Sequence, residues 1–237
     1  MKAIELLPDL YLLDFPVGHA YLLRGSDGLT LIDSGVPGSA PRIAAAIEDL
    51  GYHRRDLRRL LLTHHHEDHI GSAAAVAAWG DVTVYAHRAD APVIRGEAAG
   101  LPPKLLDWER PLLAQVRAGL AAVPAPPVGV DQELTDGAVI DLGGVAAVAI
   151  AVAGHTPGSV AFYLPDLRVL FTGDTIARSR DGRVILGVFN VDPAQAVASF
   201  KRQAGLDLEV ACFGHGEPLT ANAGAMLRAA VEHLPVP

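Results

Sequence analysis

The stretch "LLTHHHEDHIGS", residues 61–72, holds four of the chain's ten histidines, one glutamate and one aspartate within six consecutive positions. Imidazoles packed so closely repel one another once protonated, so the cluster makes sense where another group supplies the positive charge. His64, His66 and His69 follow at spacings of two and three, with Asp68 between them. Imidazole nitrogen suits zinc and other borderline metals, and carboxylate oxygen suits them too. A bound imidazole is a neutral donor to a dication, which removes the crowding problem. Three further stretches each end an expected strand on a residue able to hold metal: "AGHTPGS" with His155, "FTGDT" with Asp174 and "CFGHGE" with His215. In each, a glycine stands directly before that residue, where the backbone must turn sharply or pass close to another group. Four strand ends converging on one edge of a layered fold make the geometry of an active site.

The elements that must position these residues are short. "LYLLDF" (10–15), "HAYLLRG" (19–25) and "LTLIDSG" (29–35) read as strands separated by Gly, Pro and Asp turns. "GSAPRIAAAIEDLGY" has apolar residues at helical spacing between a serine and a glycine. "RRLLLTH" (58–64) is a strand that ends at the histidine cluster, "IGSAAAVAAWG" (70–80) a helix and "VTVYAH" another strand. Further strands are expected over 144–154, 159–164 and 168–174. A helix is expected over 192–206, with Asp192 as its cap and Pro193 at its first position. "EVACFGHG" is a last strand and "NAGAMLRAAVEHL" a last helix. Strands and helices alternate twice over, with the halves meeting near residue 130. Two mixed β-sheets flanked by helices, an α/β fold layered as an αββα sandwich, fit that order in one domain spanning 1–237.

Residues 88–130 break the alternation. They hold seven prolines and two expected helices, roughly 88–97 and 101–122. The segment is either a surface excursion or a helical lid over a site. As a lid it would bring Leu101, Leu105, Leu106, Trp108, Leu112 and Leu113 toward a substrate pocket and favour an acyl or otherwise apolar substrate. Ordinary amphipathic packing accounts for the same spacing.

Composition narrows the partners. Half of the 237 residues are apolar, enough for a sizeable core, and 27 acidic residues against 19 basic ones give a net charge of −8. That balance argues against a nucleic-acid footprint. The single cysteine, Cys212, permits no intrachain disulfide and follows an apolar run, as a buried core residue would. In "MKAIELLPDLYLLDF" the residues Glu5, Pro8, Asp9 and Asp14 interrupt any apolar run, so neither a signal peptide nor a membrane span is read there. The expectation is a cytoplasmic protein with a small-molecule substrate, no nucleic-acid or membrane partner, and a homodimer allowed.

The pattern Thr63-His64-His65-His66-Glu67-Asp68-His69 resembles the T-H-x-H-x-D-H motif of the metallo-β-lactamase-fold hydrolases. His155, Asp174 and His215 follow in the order and contexts that family uses, and "DSG" at 33–35 matches its early aspartate motif. The resemblance covers nearly the whole chain. It implies the αββα sandwich and a centre of two divalent metal ions, zinc first, with iron or manganese as alternatives. It implies that His64, His66 and His155 hold one ion, that Asp68, His69 and His215 hold the second, and that Asp174 bridges them. Two dications sharing an oxygen lower the pKa of a bound water and yield a bridging hydroxide near neutral pH. One ion polarises a substrate carbonyl while the other takes developing negative charge. Asp68 is then both a ligand and a proton carrier. Thr63 is a candidate to orient ligands by hydrogen bonds, and Asp33 is either that or a plain turn residue. His65 is expected to point away from the metal. His53, His87 and His233 lack metal-like company, and His19 stands where loops of this fold can line the pocket.

The expected reaction is hydrolysis of an ester, lactone or thioester of a small molecule. Glyoxalase II-like thioesterases share the ligand set, but the resemblance adds a helical C-terminal region that binds glutathione, and only 22 residues follow His215. Some lactonases of this fold place a tyrosine three residues beyond the bridging aspartate, where this chain has Ala177. A protective β-lactamase is expected to carry an export signal, and no cysteine stands beside the His155 or Asp174 motifs to complete a sulfur-containing ligand set. Nuclease members carry extra domains and basic surfaces. A mononuclear-iron persulfide dioxygenase is the alternative from another reaction class, whereas an inactive binding protein would not need all seven ligands. Finally, "ARSRDGR" (177–183) sets Arg178, Arg180 and Arg183 just past Asp174, with Asp181-Gly182 as a turn signal. The segment is expected as a loop, either solvated or using Arg178 to hold an anionic group of the substrate.

Overall fold

The computed structural model describes residues 3–119 and 124–235. The first sheet contains β1 (Ile4–Leu7), β2 (Leu10–Asp14), β3 (His19–Gly25), β4 (Gly28–Ile32), β5 (Leu57–Leu61), β6 (Thr83–His87) and β7 (Gln132–Leu134), side by side in chain order. β1 to β4 form an antiparallel meander, and β4 to β7 run parallel. The second sheet has the order β14-β11-β10-β9-β8, from β8 (Val139–Asp141), β9 (Ala146–Ala151), β10 (Val160–Leu164), β11 (Val169–Phe171) and β14 (Val210–Cys212). Its edge strand β14 is parallel to β11, with Phe171 opposite Cys212.

The period-two alternation of the strands sorts side chains into layers. Tyr21, Leu23, Ile32 and Leu61 face Phe162 and Phe171 between the sheets. Their neighbours Leu22, Leu31, Leu60 and Leu62 turn outward and pack against Ile43 and Ile47 of α1 (Ala40–Asp49) and Val76 of α3 (Ala73–Ala77). On the far side, Ile150, Leu170 and Phe213 pack against Phe200 of α6 (Pro193–Ala204) and Leu227 of α7 (Ala223–Val231). This is the expected αββα sandwich. The first sheet runs through Leu134, so the halves meet slightly later than the sequence predicts. Among the described residues no helix is long and apolar enough to cross a membrane.

Several elements differ from expectation. The helix read over 70–80 is broken into α2 (Glu67–Ile70) and α3. Between them Ser72 turns its hydroxyl to donate to the Val36 carbonyl and accept from the Ser39 amide, which ties the turn to the β4–α1 loop. In the 88–130 segment the helices shrink to α4 (Ala91–Ile94) and α5 (Glu109–Gly119), and residues 101–106 are irregular. Pro102 and Pro103 remove two backbone donors there, and Lys104 N–H donates across to the Asn190 carbonyl, which holds the chain out of a helix. The end of the expected second helix, 120–122, lies outside the described residues. Residues 177–183 are not a plain loop. Arg178 closes β12 (Ile176–Arg178), which turns through Asp181-Gly182 into β13 (Val184–Leu186) as an antiparallel hairpin.

Candidate metal centre

The seven candidate metal ligands, with Thr63 and Asp33, stand just beyond strand ends on one edge of the sandwich. Thr63 to His69 follow β5, His155 follows β9, Asp174 follows β11, His215 follows β14 and Asp33 follows β4. Asp68 and His69 belong to the single turn α2, with His66 at its cap position.

Three ring nitrogens meet first. His66 Nδ1 lies 3.1 Å from His64 Nε2 and 2.9 Å from His155 Nε2. The edge of a tetrahedral zinc–imidazole site is about 3.3 Å, so the spacing is close to what one shared ion requires. Asp68 Oδ2 lies 3.2 Å from His215 Nε2 and 3.8 Å from His69 Nε2, which forms a second group. Asp174 lies between the groups. Its Oδ2 is 3.2 Å from His215, 3.7 Å from His155 and 4.0 Å from His64, and its Oδ1 is 3.3 Å from His69. Close approach has a backbone requirement at Gly214, where a Cβ would come within 2.0 Å of Asp174 Oδ1 and 2.8 Å of His69 Cε1. Any larger residue would push the carboxylate out of place.

The electrostatics divide the same way. Burial, helped by neighbouring imidazoles, pushes His66 down to about 3 and lowers His64 and His155 as well. These three are neutral at pH 7, with lone pairs free to donate. Burial also acts to lower His215, but Asp174 and Asp68 outweigh it and push it up to about 10. His69 is raised in the same way, chiefly by Asp174 and Asp68. Burial would raise Asp174 and Asp68, yet the facing His215 and His69 hold both carboxyls well below their usual range. The two carboxylates therefore demand positive charge at this spot. His69 Nε2 and Asp174 Oδ1 are buried without an acceptable hydrogen bond, although such atoms normally find partners. A divalent cation would satisfy both, so the residues present fit a metal.

The surrounding groups fix the ring tautomers. Asp33 is buried and held at φ +58°, a left-handed conformation that aspartate tolerates. Its Oδ1 accepts the Thr63 N–H at 2.8 Å, and its Oδ2 accepts the Thr63 hydroxyl and faces His69 Nδ1, both at 2.8 Å. With its proton given to Asp33, Thr63 Oγ1 can accept from His64 Nδ1 at 3.1 Å. With Nδ1 so engaged, both rings turn Nε2 toward the cluster, where a bound cation would take the place of a proton. Asp33 is thus more than a turn residue.

Sequence reasoning passes over Asp90, because "ADAP" looks like an ordinary helix cap. The Asp90 side chain caps nothing in α4. It is 1% exposed, and Oδ2 accepts from His65 N–H at 3.0 Å and the Thr156 hydroxyl at 2.7 Å and faces His65 Nδ1 at 2.9 Å. Oδ1 accepts from Gly158 N–H at 2.7 Å. One carboxylate thus joins the loop carrying His64 and His66 to the loop carrying His155, and it turns His65 away from the cluster.

Asp174 and His215 open onto a cavity of about 670 Å³ that is also lined by His19, Arg178, Ile185 and Val188. His19 is held between Asp14, at 3.2 Å, and the Phe213 carbonyl, at 3.3 Å. Arg178 donates from Nε to the Gly182 carbonyl at 3.1 Å, and its Nη1 lies 3.6 Å from Glu217 Oε2. Cys212 is buried, and burial raises its thiol pKa.

Residues 13–215 match the sequence model of the metallo-beta-lactamase superfamily. The probable metallo-hydrolase YflN of Bacillus subtilis (strain 168) is 30% identical over 206 residues, covering 80% of this chain and 76% of that protein. A hydroxyacylglutathione hydrolase of Rhodobacter capsulatus is 31% identical over 213 residues, covering 90% of this chain and 66% of the relative. The chain spans about two thirds or less of the length of the hydroxyacylglutathione hydrolases it matches. Among solved structures, a metallo-beta-lactamase family protein of Thermus thermophilus superposes with a TM-score of 0.69 at 26% identity, over 97% of this chain and 80% of that one. A metallo-beta-lactamase from Cronobacter sakazakii gives 0.74 at 25% identity, over 98% and 91%. Sequence likeness through most of the chain and a shared layer order agree with what the clustered strand ends display: this chain belongs to the metallo-beta-lactamase superfamily.

Proposed function

We propose that this chain is a metal-dependent hydrolase that cleaves an ester, lactone or thioester bond of a small molecule. His64, His66 and His155 would hold one divalent ion and Asp68, His69 and His215 a second, with Asp174 available to both. Zinc fits a donor set of imidazoles and carboxylates, and iron or manganese would be accepted by the same donors. The observation that carries the reading is the meeting of both donor groups at Asp174, with buried His69 Nε2 and Asp174 Oδ1 lacking any other partner. Such a centre, when loaded, supplies a water of lowered pKa and polarises the bond to be cleaved.

The chain's own residues do the rest. Asp33 and Thr63 orient His69 and His64. Asp68, near His215 at the cluster's edge, is placed to move a proton to a leaving group. The acidic overall charge supports a small-molecule substrate over nucleic acid. Elemental analysis of the purified protein tests the reading and is expected to find two divalent ions per chain. A single tightly held iron with no second site would favour the oxygenase alternative instead.

Asp33→Asn is expected to weaken retention of the ion at His69 by about 10- to 100-fold, because the amide no longer holds the ring in one tautomer. Competition against a chelator measures it, and wild-type affinity would return Asp33 to a purely structural role. Arg178 is one wall of the cavity beside Asp174, and its guanidinium suits a substrate carboxylate. Arg178→Ala is expected to raise KM for an anionic substrate about tenfold while leaving a neutral analogue nearly unchanged. Equal kinetics on both substrates would assign Arg178 to bracing its own hairpin turn.

A further inference from the structure

Beyond the β12–β13 hairpin lies a second, larger chamber of about 950 Å³. Leu106 and Trp108 from the 88–130 segment, Val184 and Leu186 of β13, Val197 of α6 and Met226 of α7 line it. Two carboxylates on its wall are already engaged. Glu109 is buried and accepts from Leu106 N–H at 2.8 Å and from Phe189 N–H at 2.9 Å, and Asp192 accepts from Gln195 N–H at the start of α6. The rim is apolar and open: Trp108 is 58% exposed, Leu106 51% and Met226 37%.

The chamber adjoins the metal cavity across the hairpin. Gly182, Ile185, Gly187 and Val188 line both. The hairpin is a two-sided wall, with Val184 and Leu186 packing toward the α6 and α7 core while Ile185, between them, alternates to the other face. At Gly187 the backbone lies directly on Asp174, because a Cβ there would come within 1.7 Å of the Asp174 carbonyl oxygen. The low point of the wall therefore abuts the residue shared by the two donor groups. Two residues on, Phe189 is held at φ +61°, an outlying conformation for an aromatic residue. The amide that Glu109 accepts is that of Phe189, so the start of α5 anchors this strained crossing. Backbone strain of this kind persists where surrounding contacts over-determine it, and it concentrates at ligand clamps.

We infer that the substrate carries a straight apolar chain that leaves the metal cavity over Gly187 and Val188 and lies in this second chamber, under Leu106 and Trp108. The inference rests on the hydrolase reading for the position of the reacting group. It gives the 88–130 segment a role as one wall of the chain-binding site.

The test uses the metal-loaded protein and the straight-chain carboxylates from acetate to decanoate, the acid products of such substrates. Their affinities are measured by calorimetry. Each added methylene is expected to tighten binding by about two- to fourfold until the chamber is full. Met226→Trp and Ala229→Trp, both on the chamber side of α7, are expected to flatten that dependence. Val139→Trp, on an exposed position of the second sheet, is expected to keep it. Equal affinity for acetate and decanoate in the wild type would overturn the inference, as would a dependence that survives both α7 variants. A dimer in sedimentation that dissociates in the α7 variants would overturn it too, since the chamber would then be the seat of a second copy. Carboxylate binding needs no turnover, so the two readings fail separately. Graded binding without hydrolysis of any ester or thioester counts against the hydrolase alone, and hydrolysis without graded binding counts against the chamber alone.

Discussion

Asp174→Ala is expected to leave at most one tightly held divalent ion per chain and to lower kcat/KM by on the order of 10³- to 10⁵-fold. Asp174 is the one described carboxylate whose oxygens lie within 4.0 Å of ring nitrogens from both donor groups: His64 and His155 on one side, His69 and His215 on the other. In the proposed two-ion centre, removing it would take a shared ligand from both ions. It also leaves His69 and His215 facing each other with Asp68, and Asp33 behind His69, to offset their charge once protonated. The loss is local, because Asp174 sits in the turn after β11, outside the strands and helices that form the core. The variant should therefore fold. Asp174→Asn separates charge from shape, since it keeps the volume beside Gly214 and loses the anion. If charge is what matters, it resembles the alanine variant in ion count. Two ions retained in both variants, with activity within about tenfold of wild type, would remove Asp174 from the shared position.

How much of this was legible beforehand depended on what each feature needs from its neighbours. The donor cluster was legible because metal chemistry restricts residue type and local spacing, so His64, His66, Asp68 and His69 stand out within six positions. His155, Asp174 and His215 were legible because each ends an apolar strand behind a glycine. The sandwich followed from strands and helices alternating twice along the chain, and the structure layers them through strands such as β3, whose Tyr21 and Leu22 enter different core layers. The β12–β13 hairpin was hidden. Its strands are three residues long, and arginines crowd its turn. What makes them strands is tertiary: Ile176, Val184 and Leu186 are pulled onto the α6–α7 core. Residues 101–106 misled in the opposite direction. Leu101, Leu105 and Leu106 have helical spacing, but the backbone there bonds to Asn190 instead, and Leu101 and Leu106 remain exposed. Asp90 could not be recognised from its own neighbours, because its partners lie 25 and 66 or more positions away.

That residue carries the other large expectation. Asp90→Ala should destabilise the protein by about 3–5 kcal/mol, the scale for removing one member of a buried, charged hydrogen-bond network. For a chain of this length the melting temperature falls by roughly 10 °C. The sign follows from what is left behind: the His65 and Gly158 amides and the Thr156 hydroxyl lose their acceptor in a place water does not reach. His65 and the backbone donors outweigh burial and hold the Asp90 carboxyl below its usual range, so the ionised form is the one that bonds. A carboxyl depressed in the folded state stabilises fully above its unfolded pKa and gives that contribution up as pH falls through the folded value. Wild-type stability should therefore drop on acidification by an amount the alanine variant does not show. Asp90→Asn distinguishes positioning from mere packing. It fills the same space, yet it must turn an N–H₂ toward donors at one of its two positions, so the loops bearing His64, His66 and His155 shift relative to each other. Its melting temperature should fall less than that of the alanine variant, while ion affinity at the three-histidine group weakens about 10- to 100-fold. Wild-type ion affinity in a destabilised Asp90→Asn protein would make Asp90 a structural brace alone.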